Sequence, residues 1–145
     1  MKVRCITVDF EQFPIADDQK ALFRSGFGAG APRRLYDHVE VGLEYVVYAI
    51  MWGRGYPYYY VSYKGRLDDW SLTPALCFEI VDDRASAFWH VGVRTLANGF
   101  QHVTFAIKEW IDEPMFLENL VDCRERELKI MTAAARAMDA EHGSA

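Results

Sequence analysis

The spacing of hydrophobic residues changes once along the chain, from a strand-like pattern over most of its length to a helical pattern near the C-terminus. Residues 2–8 alternate between apolar and polar positions, and residues 39–52 are mostly β-branched and aromatic. Gly53-Arg54-Gly55 interrupts this second run, and residues 58–63 then resume it. The pattern predicts a first strand followed by a β-hairpin.

A second hairpin is predicted further along the chain. Residues 76–81 and 87–93 are apolar runs, and residues 82–86 join them with aspartate side chains that favour a turn. Asn98-Gly99 then predicts another turn before a strand over residues 103–110.

Two segments are predicted to be loops. Residues 26–32 contain three glycines and a proline, and no amphipathic helix follows them, which argues against a dinucleotide-binding loop. Residues 64–74 are polar and include Asp68 and Asp69, so we expect a surface loop anchored by Trp70.

The pattern becomes helical from Asp112 onward. Apolar residues then recur at three- and four-residue steps, at Leu117, Leu120, Val121, Leu128, Met131, Ala135 and Met138. This period predicts one long helix that accepts Pro114 in its first turn and ends near His142-Gly143. Residues 16–24 predict a short early helix, because two aspartates suit its N-terminal end.

These elements together predict an α+β fold. Consecutive hairpins make a mainly antiparallel sheet of about six strands, the long C-terminal helix packs against it, and a short N-terminal helix completes the fold. A chain of 145 residues can bury a sizeable core, so we expect a single globular domain over residues 1–145.

Charge and hydropathy narrow the range of partners. The formal charge is −5, from 21 acidic and 16 basic residues, so the summed field disfavours nucleic acid and favours a basic partner. The longest apolar run, residues 45–52, has the length of a strand and is too short to cross a membrane. The first ten residues alternate in polarity, unlike a secretory signal.

The cysteines and the remaining motifs give no sign of a prosthetic group. Cys5, Cys77 and Cys123 are an odd, widely spaced set, which predicts reduced thiols, no disulfide and a cytoplasmic location. The four histidines lack the paired spacing of a zinc site, and no Gly-x-Ser-x-Gly elbow occurs. We therefore expect no metal, no cofactor and no catalysis.

One arrangement of histidines keeps an enzymatic alternative open. His90 and His102 lie in predicted neighbouring strands, and the fold could bring them together with Glu79 or Glu109. Such a group could carry out acid–base chemistry or hold a small molecule. The simpler interpretation is that each histidine is hydrogen-bonded within the packing.

The most unusual stretch is the aromatic segment at residues 56–63. Alternation along a strand sends Tyr58 and Tyr60 to one face and Tyr59 and Tyr63 to the other. One face therefore packs in the core, and the other either displays rings suited to a protein interface or lies under a helix or loop.

Three runs of residues along the chain resemble those of a known class of proteins. They are Glu44-Tyr45-Val46-Val47-Tyr48-Ala49-Ile50, residues 76–89, and Glu109-Trp110-Ile111-Asp112-Glu113-Pro114. In these runs the chain resembles small bacterial proteins of the kind found as immunity proteins in polymorphic toxin systems. The resemblance implies a protein that binds and neutralises a cognate toxin domain by occlusion, with no catalysis.

The hypothesis selects aromatic anchors with acidic neighbours in or beside predicted loops as the partner surface. These residues are Tyr58, Tyr60, Asp68, Asp69, Trp70, Asp82 and Asp83. Their chemistry suits a basic toxin. Two alternatives remain: a small enzyme or small-molecule binder at the histidines, and a self-associating domain whose tyrosine strand forms the edge of a homodimer.

Overall fold

The computed structural model describes residues 1–26, 39–53, 55–63, 66, 70–95, 99 and 101–143. Within them the strands are β1 (Lys2–Cys5), β2 (Glu44–Val46), β3 (Ala49–Gly53), β4 (Tyr56–Ser62), β5 (Trp70–Pro74), β6 (Phe78–Asp82), β7 (His90–Thr95) and β8 (Gln101–Ala106). The α-helices are α1 (Asp17–Gly26), α2 (Lys108–Asp112), α3 (Phe116–Val121) and α4 (Glu125–Glu141). None of these helices is long and apolar enough to span a bilayer.

The eight strands of the described residues form two antiparallel sheets. The small sheet has the order β2-β1-β6, and the large sheet has the order β5-β4-β3-β8-β7. With α4 at the C-terminal end and α1 near the N-terminus, the α+β class predicted from the sequence is confirmed. The strands number eight instead of about six, because the sequence pattern hid β2 inside the long run that also contains β3, and hid β5 inside a polar segment.

The interior strand β4 is buried on both faces. On one face, Tyr59 and Val61 join a core with Val3, Tyr45 and Phe78 of the small sheet. On the other face, Tyr60 joins a second core formed with the helices, whose fully buried members include Phe116, Met131, Ala135 and Met138. The small sheet and the helices therefore lie on opposite sides of β4.

The predicted long C-terminal helix is confirmed as α4, but it begins at Glu125 and not near Asp112, because the helical region from residue 108 onward is divided into three parts. Pro114 lies between α2 and α3, where it interrupts the helix instead of opening it. Cys123 lies between α3 and α4 with a φ of 57°, a left-handed conformation that ends a helix. Helical periodicity persists across both breaks, because each segment buries apolar side chains in the same core.

The first predicted hairpin, from residues 39–52 and 58–63, is confirmed in β3 and β4, which pair antiparallel. The hairpin predicted for residues 76–93 is wrong, because β6 pairs with β1 in the small sheet and β7 pairs with β8 in the large one. The segment between them therefore crosses from one sheet to the other. The loop predicted over residues 64–74 contains β5 at its C-terminal end.

Candidate protein-binding surface

Two of the aromatic residues predicted to face a partner are packed against the helices. Tyr60 is only 5% exposed, and its ring centroid lies 5.1 Å from that of Trp110 and 5.8 Å from that of Trp70. The ring of Trp70 also meets Tyr48 at 5.2 Å. The burial of Tyr60 excludes it from a partner surface, and the ring of Trp70 serves mainly to close the same core.

The remaining predicted residues are not brought together with these rings. Tyr58 is half-buried on the helix-facing side of β4. Asp82 ends β6 in the small sheet, where its carboxylate accepts hydrogen bonds from Arg84 and lies 3.0 Å from His142 Nδ1. Asp83 is exposed in the connection after it. Asp68 and Asp69 lie outside the described residues.

The contacts of Asp82 have a structural role. Hydrogen bonds from the Arg84 side chain and backbone, and one from His142, hold the pKa of its carboxyl well below the ordinary value. His142 follows the C-terminal end of α4, so these bonds tie the helix layer to the end of β6. An Asp held in this way is poorly placed to attract a partner.

An exposed apolar surface of the sheet lies elsewhere, on β3, β8 and β7. The pairing register puts Val91 opposite Phe105, Val93 opposite Val103, and Val103 opposite Trp52, so these side chains share one face. Trp52 is 52% exposed, Val91 60% and Val93 59%. We call this surface, formed by Trp52, Val91, Val93, Val103 and Phe105, the open face.

The open face exists because the small sheet covers only part of the large one. The small sheet packs on β4, where the rings of Tyr59 and Phe78 lie 5.9 Å apart. Ile50 on β3 still packs partly against this core, whereas the next residue on the same face, Trp52, is exposed. The boundary between covered and open sheet therefore crosses β3 between Ile50 and Trp52.

The open face also differs in charge from other surfaces. None of its five side chains is charged, and residues 84–108 contain no Asp or Glu, although the chain has 21 acidic residues. By contrast, the outer face of the small sheet carries an ion-pair network in which Arg4 bonds to Glu44 at 2.9 Å and to Glu79 at 3.0 Å. Exposed apolar side chains without charge are typical of interaction surfaces.

The histidine site suggested by the sequence is not formed as proposed. His90 lies opposite Ala106 and His102 lies opposite Arg94, which separates the two histidines by about 13 Å along the strands at about 3.3 Å per residue. Glu79 belongs to the small sheet and pairs with Arg4. The described residues contain no cluster of three or more His, Cys, Asp or Glu that could hold a metal ion.

His102 instead borders a cavity between the large sheet and the helices. The cavity has a volume of about 330 Å³, and its lining includes Met51, Thr104, Ile111 and Glu118. His102 Nε2 is buried and has no hydrogen-bond partner among the described residues. The guanidinium of Arg94, which also lines the cavity, donates to the carbonyl oxygens of Glu113 and Pro114 beyond the end of α2.

The thiols do not form a nucleophilic centre. Burial raises the pKa of the Cys5 thiol to about 11, and burial raises that of Cys77 still further, so both remain protonated at neutral pH. Cys123 is exposed in the break between α3 and α4. All three are free thiols.

A weak signal for the open face was present in the sequence. In His90-Val91-Gly92-Val93-Arg94-Thr95 the valines alternate with polar residues or glycine, which indicates one apolar face. Alternation alone does not show whether that face meets a core or solvent. The aromatic density of residues 56–63 drew the prediction to β4 instead.

Comparison with known proteins gives no match: no family model fits the chain, and no curated protein or solved structure is significantly similar to it.

Proposed function

We propose that this protein is a cytoplasmic, immunity-like binding protein that neutralises a cognate toxin domain by covering part of the toxin with the open face. The observation that supports the proposal most directly is the uncharged apolar surface on β3, β8 and β7, where Trp52, Val91 and Val93 are each more than half exposed. Neutralisation by occlusion needs such a surface and no catalytic residues.

The open face suits a contact surface in its chemistry and rigidity. Trp52 provides a large aromatic anchor of the type that dominates interface energies, and the neighbouring valines extend the apolar area. All five side chains project from paired strands, so little conformational entropy is lost on binding. A binding site on a paired sheet is also geometrically defined before the partner arrives.

Charge assists the encounter without entering the contact. The net charge of −5 attracts a basic toxin at long range, while the uncharged open face makes the final contact without desolvating ionised groups. The association rate should therefore fall as salt concentration rises, whereas the dissociation rate should change little.

The test is a titration against any toxin domain that a neighbouring gene encodes, with two variants that each replace one exposed valine by aspartate. Val93→Asp places a charge in the open face and should weaken binding at least about 100-fold, a loss of about 2.7 kcal/mol. Val41→Asp is the matched control, because Val41 is 54% exposed but lies in the turn before β2. The control should keep the wild-type affinity.

Two results would contradict the proposal in different ways. Equal affinity of Val93→Asp and wild type would place the partner surface elsewhere on the molecule. Failure of the wild-type protein to bind the toxin or to protect cells that express it would remove the neutralising function itself.

A second candidate function, a small-molecule site, is supported by the cavity beside His102. The cavity combines apolar walls with the polar groups of Thr104 and Glu118 and with the buried Nε2 of His102, to which the described part of the chain offers no hydrogen-bond partner. This is the usual composition of a ligand pocket. The experiment is a fragment screen followed by NMR of the His102 ring. Binding that disappears in His102→Phe but persists in His90→Phe would support it, and absence of any cavity ligand would remove it.

A further inference from the structure

Strand β7 forms the edge of the large sheet beside the open face, and no strand of the described residues pairs with its outer side. β7 pairs with β8 over all six residues without a register shift, and the described residues supply no backbone hydrogen bond to its other side. Its sequence contains no proline and no lysine, the usual devices that protect an edge strand. Five of its six residues are exposed.

We propose that β7 pairs antiparallel with β7 of a second copy, which joins the two large sheets into one continuous sheet across a two-fold axis. The structure excludes the tyrosine strand as the dimer edge, because β4 lies inside the sheet between β3 and β5. The proposal is independent of toxin neutralisation. Edge pairing leaves both open faces accessible.

The sequence of β7 complements itself in this arrangement. Residues that face each other across an antiparallel pair share one face of the sheet, so odd-numbered residues must meet odd-numbered residues of the partner strand. An axis at Gly92 pairs each Val91 with the other copy's Val93, and an axis at Val93 pairs the two Val93 side chains. Both registers bring valine against valine on the open face.

Charge favours this edge over the two edges of the small sheet. Each copy has a net charge of −5, and two like-charged molecules meet most easily where no carboxylates oppose each other. Residues 84–108, which include β7, contain no acidic residue. The edges of the small sheet contain Glu44 in the three-residue β2, and Glu79 and Asp82 in β6.

The positive charge within β7 is directed away from the edge. The guanidinium of Arg94 donates to three backbone carbonyls at and after the end of α2, those of Trp110, Glu113 and Pro114. Arg94 therefore does not oppose a second Arg94 across the pair. Neither acidic nor basic side chains therefore repel each other across this edge. This points to β7 of a second copy as the strand that pairs with it.

The test is the molecular mass in solution, measured by sedimentation equilibrium over rising protein concentration. Wild type should form a dimer, and Val91→Lys/Val93→Lys, which introduces edge lysines, should shift the mass to that of a folded monomer. Trp52→Lys is the decisive control, because Trp52 lies on β3, two strands from the edge. It leaves an edge-to-edge dimer intact but disrupts one formed by stacking of two open faces.

Each outcome decides the proposal. A dimer that is lost in the double lysine variant and kept in Trp52→Lys and Val41→Lys supports pairing through β7, provided that circular dichroism shows all variants folded. A wild-type monomer at every concentration overturns it. Loss of the dimer in Trp52→Lys, or its survival in the double lysine variant, also overturns it in favour of another interface.

The register can be read by cross-linking in a Cys123→Ser background, since Cys5 and Cys77 are buried. Val93→Cys alone should form a disulfide-linked dimer if the axis lies at Val93. A mixture of Val91→Cys and Val93→Cys proteins should form the mixed disulfide if the axis lies at Gly92. Absence of both products, under conditions where the dimer persists, would overturn pairing through β7.

Discussion

The large sheet has two halves that differ in what covers them. The covered half, around β4, lies between the small sheet and the helices, whereas the open half, which ends at β7, carries the open face. In the covered half, β4 has Tyr59 at 8% and Tyr60 at 5% exposure on opposite faces. In the open half, β7 has Val91 at 60% and Val93 at 59% exposure on a face that no described element covers. Aromatic density therefore marks the packing centre of this protein, and ordinary valines mark its apolar surface.

The largest expected effect tests whether the tyrosines belong to the core. Tyr60→Ala should lower the free energy of unfolding by about 3–5 kcal/mol, because it leaves a cavity between Trp70 and Trp110. Tyr58→Ala is the matched control on the same strand face, and since Tyr58 is only half-buried its loss should be smaller. Urea denaturation measures both, and equal losses would contradict the burial of Tyr60.

A second test concerns the contact that holds the helices to the open half. A Cβ added at Gly92 would lie 2.9 Å from Cγ2 of Ile111 in α2, so Gly92→Ala should destabilise the protein by about 1 kcal/mol through overpacking. In an Ile111→Ala background the clash is absent, and the same change should stabilise by about 0.4–1 kcal/mol. A double-mutant cycle in urea measures this reversal of sign, and an additive cycle would contradict the close approach.

A third test uses acid to weaken the tie between β6, which belongs to the small sheet above the covered half, and the end of α4. The pKa of Asp82 is lowered in the fold from its ordinary value of 3.8, first by the hydrogen bonds from Arg84. The ionised carboxylate therefore stabilises the fold above that pH, and this contribution is lost as the pH falls below it.

Asp82→Asn should accordingly lose less stability than wild type as the pH falls from 5 to 2, measured as the shift in urea midpoint. Asp83→Asn is the control, because it removes the same charge from the neighbouring residue. Parallel acid responses of Asp82→Asn and wild type would show that the bonds from Arg84 and His142 do not contribute to folding.

The fold class could be predicted from the sequence because hydrophobic period separates strands from helices, and the β3–β4 hairpin could be predicted from the glycines that interrupt its run. Strand partners could not be predicted in the same way. β6 and β7 are neighbours along the chain, yet β6 pairs with β1 and β7 with β8, since pairing depends on contacts between distant segments. The helix breaks at Pro114 and Cys123 were hidden by an apolar period that continues through them.

The candidate surface was harder to predict for a related reason. Tyr60 and Val93 both lie in strands with apolar character, and only the position of each strand relative to the other layers decides which is exposed. The helices cover Tyr60, whereas the small sheet packs on β4 and ends before β7. How much of the large sheet is covered depends on how the layers assemble, and the sequence of a single strand does not indicate it.

The smallest expected effect concerns the open face itself. Val91→Thr and Val93→Thr preserve side-chain shape and strand preference at positions that are 60% and 59% exposed, so each should change the free energy of unfolding by no more than about 0.5 kcal/mol. The same substitutions should weaken binding to the toxin, since they place a hydroxyl in an apolar contact.

Urea denaturation and titration of the same protein samples separate the two effects. A large loss of stability would mean that these valines are part of the core after all. Unchanged stability with reduced affinity would mean that their apolar character contributes to binding and not to folding.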